Sequence, residues 1–167
     1  GKAIMMGGMC DHTKVPLQDL TEEGVLTNSR VGDGVSSTLF ADAAIDFLVT
    51  QDKGIEPFFL YVAFTAPHDP RNPPESFRQA YYDNPPPVPE NFLPQHPFDN
   101  THMDVRDEVS VSGVWKNRDP QTIRNEIGRE FACNENIDQQ IHRVLEKLSA
   151  LGELENTWIF FTSDHGI

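Results

Sequence analysis

Two short apolar runs, rich in aromatic and β-branched residues, limit what this chain can fold into. Residues 57–64 read PFFLYVAF, and residues 157–161 read TWIFF. Runs of this length and composition are typical of strands that are buried on both faces of a parallel sheet. A helical pattern lies between them, and a strand–helix–strand unit crosses over with right-handed connectivity. The sequence therefore predicts an α/β fold with a parallel-type sheet and flanking helices.

Two helices are predicted beside these strands. Asp119 is a favourable N-cap with proline at the next position, and Gly152 is a natural stop. Between them, apolar residues recur at helical spacing: Ile123, Ile127, Phe131, Ile137, Ile141, Val144, Leu145 and Leu148. A second helix is predicted over residues 36–50, capped by Ser36 or Ser37. Its apolar stripe consists of Leu39, Phe40, Ala43, Ala44, Phe47 and Leu48.

Two stretches show no sustained periodicity. Residues 1–35 combine glycines with polar residues and predict loops or short turns. Residues 66–119 carry most of the prolines, including PPPVP at residues 85–89, together with scattered aromatic side chains. A loop of this length is usually functional or disordered, and its aromatic residues favour packing on the domain. A proline-rich ligand for a recognition module is the alternative.

Each apolar run ends in polar side chains that could bind a ligand. His68 follows the first run between two prolines that restrict the backbone, and Asp164 and His165 follow the second. Ligands of open α/β sheets bind beyond the carboxyl ends of the strands, which makes Asp164 and His165 a candidate pair of metal ligands or an acid/base pair, and His68 a side chain that could point at a ligand. The plainer interpretations are a polar turn that closes the second strand and a solvated surface position for His68. The remaining histidines could be proposed as ligands on residue type alone: His12, His96, His102 and His142.

Composition excludes several classes of partner. The formal net charge of -13 argues against binding to nucleic acid or to an anionic membrane surface. No run is long and apolar enough to span a bilayer. Cys10 and Cys133 form neither a zinc pattern nor a disulfide framework and are interpreted as free thiols. Two predicted strands make a thin sheet, and the first residue is not methionine, so we expect an internal piece of a larger protein.

Three stretches of the chain resemble the bacterial sulfatases of the alkaline-phosphatase superfamily. They are FFLYVAFTAPHDPR at residues 58–71, PENFLPQHPFDNTHMDVRDE at residues 89–108, and FTSDHG at residues 161–166. The resemblance implies an alkaline-phosphatase-like fold, with residues 1–167 forming the central part of one catalytic domain. Within it, residues 1–35 would be an irregular lead-in, and residues 36–167 would supply helix, strand, proline-rich loop, helix and strand.

The resemblance also implies roles for individual residues. Asp164 and His165 match a pair of metal ligands, and His68 matches the histidine that contacts the sulfate group. Lys2 matches a lysine near the nucleophile, although the residues after it depart from the family pattern. Calcium is the implied cation. Magnesium and manganese are the alternatives, because calcium prefers oxygen ligands and histidine is a less usual partner for it.

The implied activity is metal-dependent hydrolysis of a small-molecule or saccharide sulfate ester. The nucleophile of the family is a formylglycine made from Cys or Ser in a Cys/Ser-x-Pro/Ala-x-Arg segment, and neither Cys10 nor Cys133 lies in one. We therefore expect the formylglycine upstream and this piece to be inactive alone. Phosphate or phosphonate ester hydrolysis and a non-catalytic α/β binding domain are the alternatives. The family resemblance implies a periplasmic or extracellular location.

Overall fold

The structure, a computed structural model, describes residues 11–51, 56–68, 70–94, 97 and 119–164. In these residues the regular elements are β1 (Pro16–Leu20), β2 (Leu26–Val31), α1 (Ser36–Gln51), α2 (Glu75–Asp83) and α3 (Pro120–Ala150), followed by a 3₁₀ turn at Leu154–Asn156. Helix α3 packs against both α1 and α2 and is the element around which the described part is organised. No helix within these ranges is both long and apolar enough to cross a membrane.

Helix α3 begins and ends where the sequence predicts. The carboxylate of Asp119 accepts hydrogen bonds from the backbone amides of Gln121 and Thr122, both at 3.0 Å. At the other end Gly152 has a φ of +76°, and the amide of Glu153 donates to the carbonyl of Leu148 at 3.1 Å. This left-handed glycine followed by a six-to-one bond satisfies the last carbonyls of the helix. Both predicted boundaries are confirmed.

The buried face of α3 differs from the predicted apolar stripe. Its most buried residues are Gly128, Ala132, Cys133, Asn136, Gln140 and Leu148, whereas Phe131 is 44% exposed. Small side chains at the centre of this face allow the neighbouring helices to approach closely. The two buried amides satisfy part of their own hydrogen bonding, since Gln140 donates to Asn136 at 3.3 Å. Only Leu148 of the predicted stripe lies in the core.

Helix α1 forms as predicted, but its serines do not cap it. Ser36 and Ser37 are already helical and fully buried. The amide of Ser36 donates to the backbone carbonyl of His12 at 2.8 Å, and the amide of Leu39 donates to that of Val35. The predicted serine cap is therefore wrong, because the turn that precedes the hairpin supplies an acceptor for the start of the helix.

The prediction of loops or short turns over residues 1–35 is wrong for residues 16–31, which form an antiparallel hairpin. Strand β1 pairs with β2 in a register that sets Pro16 opposite Val31 and Leu20 opposite Leu26. Residues 21–25 connect the strands, with a φ of +78° at Gly24. Every residue of β2 is exposed. Its sequence, LTNSRV, does not alternate apolar and polar residues, and alternation is the signal from which a strand is predicted.

The two segments predicted as buried parallel strands lack strand pairing in the described part of the chain. The sheet that the structure contains there is the antiparallel pair β1–β2. In residues 57–64 half-buried and exposed side chains alternate, with Phe59 and Tyr61 87% and 77% exposed. Residues 158–161 are exposed throughout. The prediction that both faces are buried is wrong for the described chain, because a strand also requires a neighbour to pair with.

Helix α2 lies inside the stretch that the sequence predicts to be irregular. It follows Pro74 and has an acidic residue, Glu75, in its first turn. The ring of Tyr81 meets that of Phe131 edge-on, with the ring centroids 5.9 Å apart. The expectation that this proline-rich stretch packs on the domain is therefore confirmed for residues 75–83, although they do so as a helix.

Candidate functional site

The candidate site is built on a four-residue turn at the end of the first apolar segment. The amide of His68 donates to the carbonyl of Thr65 at 3.1 Å and closes the turn. Ala66 is buried at 9% exposure, and the peptide bond between it and Pro67 is cis. The side chain of His68 is exposed. The turn therefore presents an imidazole on a backbone whose interior side is packed against the protein.

A second histidine lies beneath this turn. His12 is 3% exposed, and its Nε2 lies 2.8 Å from the backbone carbonyl oxygen of His68. Its Nδ1 lies 3.2 Å from the hydroxyl of Ser36 and 3.3 Å from that of Thr65. One buried ring thus contacts the start of α1 and both ends of the turn.

The neighbouring residue makes a further connection to the same loop. The carboxylate of Asp11 accepts a hydrogen bond from the side-chain amide of Asn72 at 3.2 Å. It also accepts bonds from the amide of Thr13 at 2.9 Å and from its hydroxyl at 2.7 Å. The pKa of Asp11 is lowered mainly by the two bonds from Thr13 and to a smaller extent by that from Asn72. The ionised carboxylate is the form that these donors stabilise.

The described cysteine is not placed as a nucleophile. Cys133 lies in the core at 2% exposure, and burial raises the pKa of its thiol to about 11, although the positive charge of Arg71 acts in the opposite direction. A thiolate is the reactive form, so this side chain stays protonated and inert at neutral pH. Cys10 lies outside the described residues.

The other predicted site residues are placed only in part. Asp164 is exposed at the end of the second extended segment. Lys2 and His165 lie outside the described residues. Among the described residues, no group of three or more His, Cys, Asp or Glu side chains could hold a metal ion. As a single donor, the accessible carboxylate of Asp164 suits a hard divalent cation, which prefers charged oxygen ligands.

Comparison with known proteins decides the family. The family model described as Sulfatase matches residues 7–167. This chain belongs to the sulfatase family. An arylsulfatase from Clostridium perfringens (strain 13 / Type A) is 32% identical over 125 residues, which cover 74% of this chain and 24% of that protein. The uncharacterized sulfatase YidJ from Escherichia coli (strain K12) is 28% identical over 130 residues, covering 75% and 24%. The sulfatase chain spans about a quarter of the length of these curated relatives.

A solved structure supports the predicted fold. The crystal structure of the sulfatase candidate yidJ from Bacteroides fragilis superposes with a TM-score of 0.57 at 17% identity, over 87% of this chain and 28% of that one. At this level of identity the likeness concerns the fold alone. The sulfatase chain has the predicted α/β, alkaline-phosphatase-like fold, of which the described residues form an incomplete part.

Sequence reasoning missed the residues that hold the turn carrying His68 in place. His12 and Asp11 contact residues 53 to 61 positions away in the chain. No local motif marks them, since their partners are polar groups of a distant loop. The only available signal was the adjacency of an aspartate and a histidine just before the hairpin.

Proposed function

We propose that the protein hydrolyses sulfate esters and that His68 contacts the sulfate group. Membership of the sulfatase family supports the reaction class. The observation that carries the residue assignment is the exposure of the His68 imidazole on a turn whose backbone is bonded to buried His12. A side chain that must meet a ligand in a fixed position needs both features, an accessible tip and a supported backbone.

The imidazole of His68 suits the charge changes of this reaction. A sulfate ester is anionic, and negative charge moves to the leaving oxygen as the S–O bond breaks. A ring N–H positioned at one of these oxygens donates a hydrogen bond that strengthens as the charge develops. His68 would therefore bind the ground state and stabilise the transition state more strongly.

Asp164 and His165 are the residues that we propose as ligands of a divalent cation, with Lys2 beside the reacting centre. Calcium is the first choice because Asp164 supplies a hard anionic oxygen, and magnesium or manganese are the alternatives because His165 supplies nitrogen. When bound, such a cation would neutralise charge on the sulfuryl oxygens. The protein's own contribution is to present the Asp164 carboxylate in an exposed position at the end of an extended segment.

The nucleophile that we propose is the family's formylglycine, which no segment of residues 1–167 can supply by its Cys/Ser-x-Pro/Ala-x-Arg pattern. The buried, protonated state of Cys133 supports the view that this thiol takes no part in the reaction. The substrate class is a small-molecule or saccharide sulfate ester. The similarity to a protein named arylsulfatase makes an aryl sulfate the natural first substrate to assay.

The test compares 4-nitrophenyl sulfate with 4-nitrophenyl phosphate, using the complete protein and its Asp164→Ala variant. We expect a higher kcat/KM for the sulfate and a loss of at least roughly 10²-fold on Asp164→Ala, because a metal contributes several kcal/mol to charge stabilisation. Asp138→Ala is the matched control, since this aspartate is exposed on α3. Preference for the phosphate would favour the alternative chemistry, and unchanged turnover by Asp164→Ala would contradict the metal-ligand assignment.

A further inference from the structure

His12 connects two separate parts of the fold, the start of α1 and the turn at residues 65–68. Its backbone carbonyl accepts from the amide of Ser36 at the start of α1. Its ring reaches the hydroxyls of Ser36 and Thr65 and the carbonyl of His68. At 3% exposure the ring is shielded from water, so these polar contacts are not exchanged for solvent. A buried histidine with this many partners is held in one orientation.

The chemistry of the partners assigns the ring atoms. A backbone carbonyl can only accept, so Nε2 of His12 must carry the hydrogen that is donated to the oxygen of His68. Nδ1 faces two hydroxyls, each of which can rotate to donate to it. The ring therefore joins the first residue of the turn, Thr65, through its side chain and the last, His68, through its backbone. It spans the same turn that the backbone bond from His68 to Thr65 closes.

We propose that His12 is a positioning residue that fixes the turn carrying His68, so that the exposed imidazole is presented to the sulfate group in one place. The hydrogen bond that Asn72 donates to the carboxylate of Asp11 restrains the same loop four residues further along. This inference rests on the proposed function, because it assumes that His68 contacts substrate. His12 itself is buried and acts only through the backbone of His68.

Two substitutions separate the donor at Nε2 from the rest of the ring. The side chain of His12→Gln is long enough to place an N–H near the position of Nε2, whereas that of His12→Asn is too short to reach the carbonyl of His68. Both replace the ring by a buried amide, so they carry a similar cost for folding. We expect His12→Asn to lower kcat for an aryl sulfate by roughly 10- to 100-fold with little change in KM, because misplacement by about 1 Å costs up to this much. His12→Gln should recover most of the loss.

A double-mutant cycle shows whether the effect passes through His68. In a His68→Ala background the contact to be positioned is gone, so His12→Asn should change kcat by less than about threefold. An equal loss in both backgrounds would overturn the proposal and assign His12 a general structural role. His142→Asn is the control, since this histidine is exposed and pairs with Glu146 on its own helix.

A second variant, at the partner residue Thr65, keeps the proposal testable if His12→Asn fails to fold. Thr65→Val keeps the shape of the side chain and removes the hydroxyl beside Nδ1 of His12. We expect a smaller loss of kcat that again disappears in the His68→Ala background, and an undiminished kcat would overturn the proposal. If His68→Ala alone retains full turnover, the proposed function fails. If His68→Ala is impaired but His12→Asn and Thr65→Val are not, only the positioning role fails.

Discussion

Arg143 on α3 donates from Nη2 to Oδ1 of Asp42 on α1 at 2.6 Å, across 101 positions of the chain. The same guanidinium donates from Nη1 to the side-chain oxygen of buried Gln140, also at 2.6 Å. The ion pair itself is partly solvated, with side-chain exposures of 39% for Arg143 and 49% for Asp42. It joins the two helices at the edge of their interface, where water and salt screen the charges.

The coupling between Asp42 and Arg143 is expected to be weak. Partly exposed ion pairs contribute about 0.2–1 kcal/mol to the free energy of unfolding. We expect a double-mutant cycle of Asp42→Ala and Arg143→Ala in urea to give a coupling energy in this range, which decreases as salt is raised. A coupling above about 2 kcal/mol that does not respond to salt would mean that the pair is desolvated in solution.

The N-cap of α3 predicts a pH-dependent contribution to stability. Hydrogen bonds from the hydroxyl and amide of Thr122 lower the pKa of Asp119 below its ordinary value of 3.8. Its contribution is therefore complete above the unfolded-state pKa and is lost as the pH falls through the lower folded-state pKa. We expect Asp119→Ala to reduce the melting temperature at neutral pH, with a smaller difference from wild type at acid pH, below the ordinary value of 3.8. Asp119→Asn retains a cap and is the control. An equal difference in melting temperature between wild type and Asp119→Ala at neutral and at acid pH would contradict the assignment.

Close packing of α2 on α3 leaves little room for a side chain at position 128. A Cβ added to Gly128 would lie 3.0 Å from Cβ of Tyr81 and 3.6 Å from Cδ of Pro86. The Tyr81 atom is attached directly to the α2 backbone, so it can give way only if the helix moves. We expect Gly128→Ala to lower the free energy of unfolding by roughly 1 kcal/mol, because overpacking outweighs the gain in helix propensity. Exposed Asn134→Ala gains propensity without a clash, and a stabilised Gly128→Ala would show that the helices can separate at no cost.

Cys133 should resist modification in the folded protein. Burial raises the pKa of its thiol to about 11, so almost no thiolate is present near pH 8. We expect iodoacetamide, followed by peptide mapping, to label Cys133 only after denaturant is added. Rapid labelling of the native protein would contradict the buried environment and reopen the possibility that this thiol is reactive.

The features that local chemistry determines were predictable. Asp119 and Gly152 bound α3 because a cap and a left-handed stop act within a few residues of the helix end. Helix α2 left a weaker signal of the same kind, since Phe77 and Tyr81 recur four residues apart after a proline pair. Strand β2 left none, because all its residues are exposed, its apolar residues do not alternate with polar ones, and its pairing with β1 depends on the turn between them.

Of the turn and the residues beneath it, sequence reasoning singled out only His68. His68 stands in a motif directly after an apolar run, and the structure places it exposed on a closed turn. Its contact with the sulfate group stays a prediction. The role of His12 in holding this turn was not predictable, because its contact with His68 joins residues 56 positions apart. The two apolar runs show the converse error: composition reveals that a segment can be buried, but not which neighbours pair with it.

The most direct test of this account is the turnover of an aryl sulfate by the complete protein carrying His68→Ala. We expect kcat to fall by roughly 10²–10³-fold, the loss typical of removing one hydrogen-bond donor to developing negative charge. The His142→Ala variant should retain full activity, since that ring is exposed and its ion-pair partner, Glu146, lies on the same helix. Wild-type turnover by His68→Ala would show that the imidazole does not meet the sulfate group and would contradict the central claim.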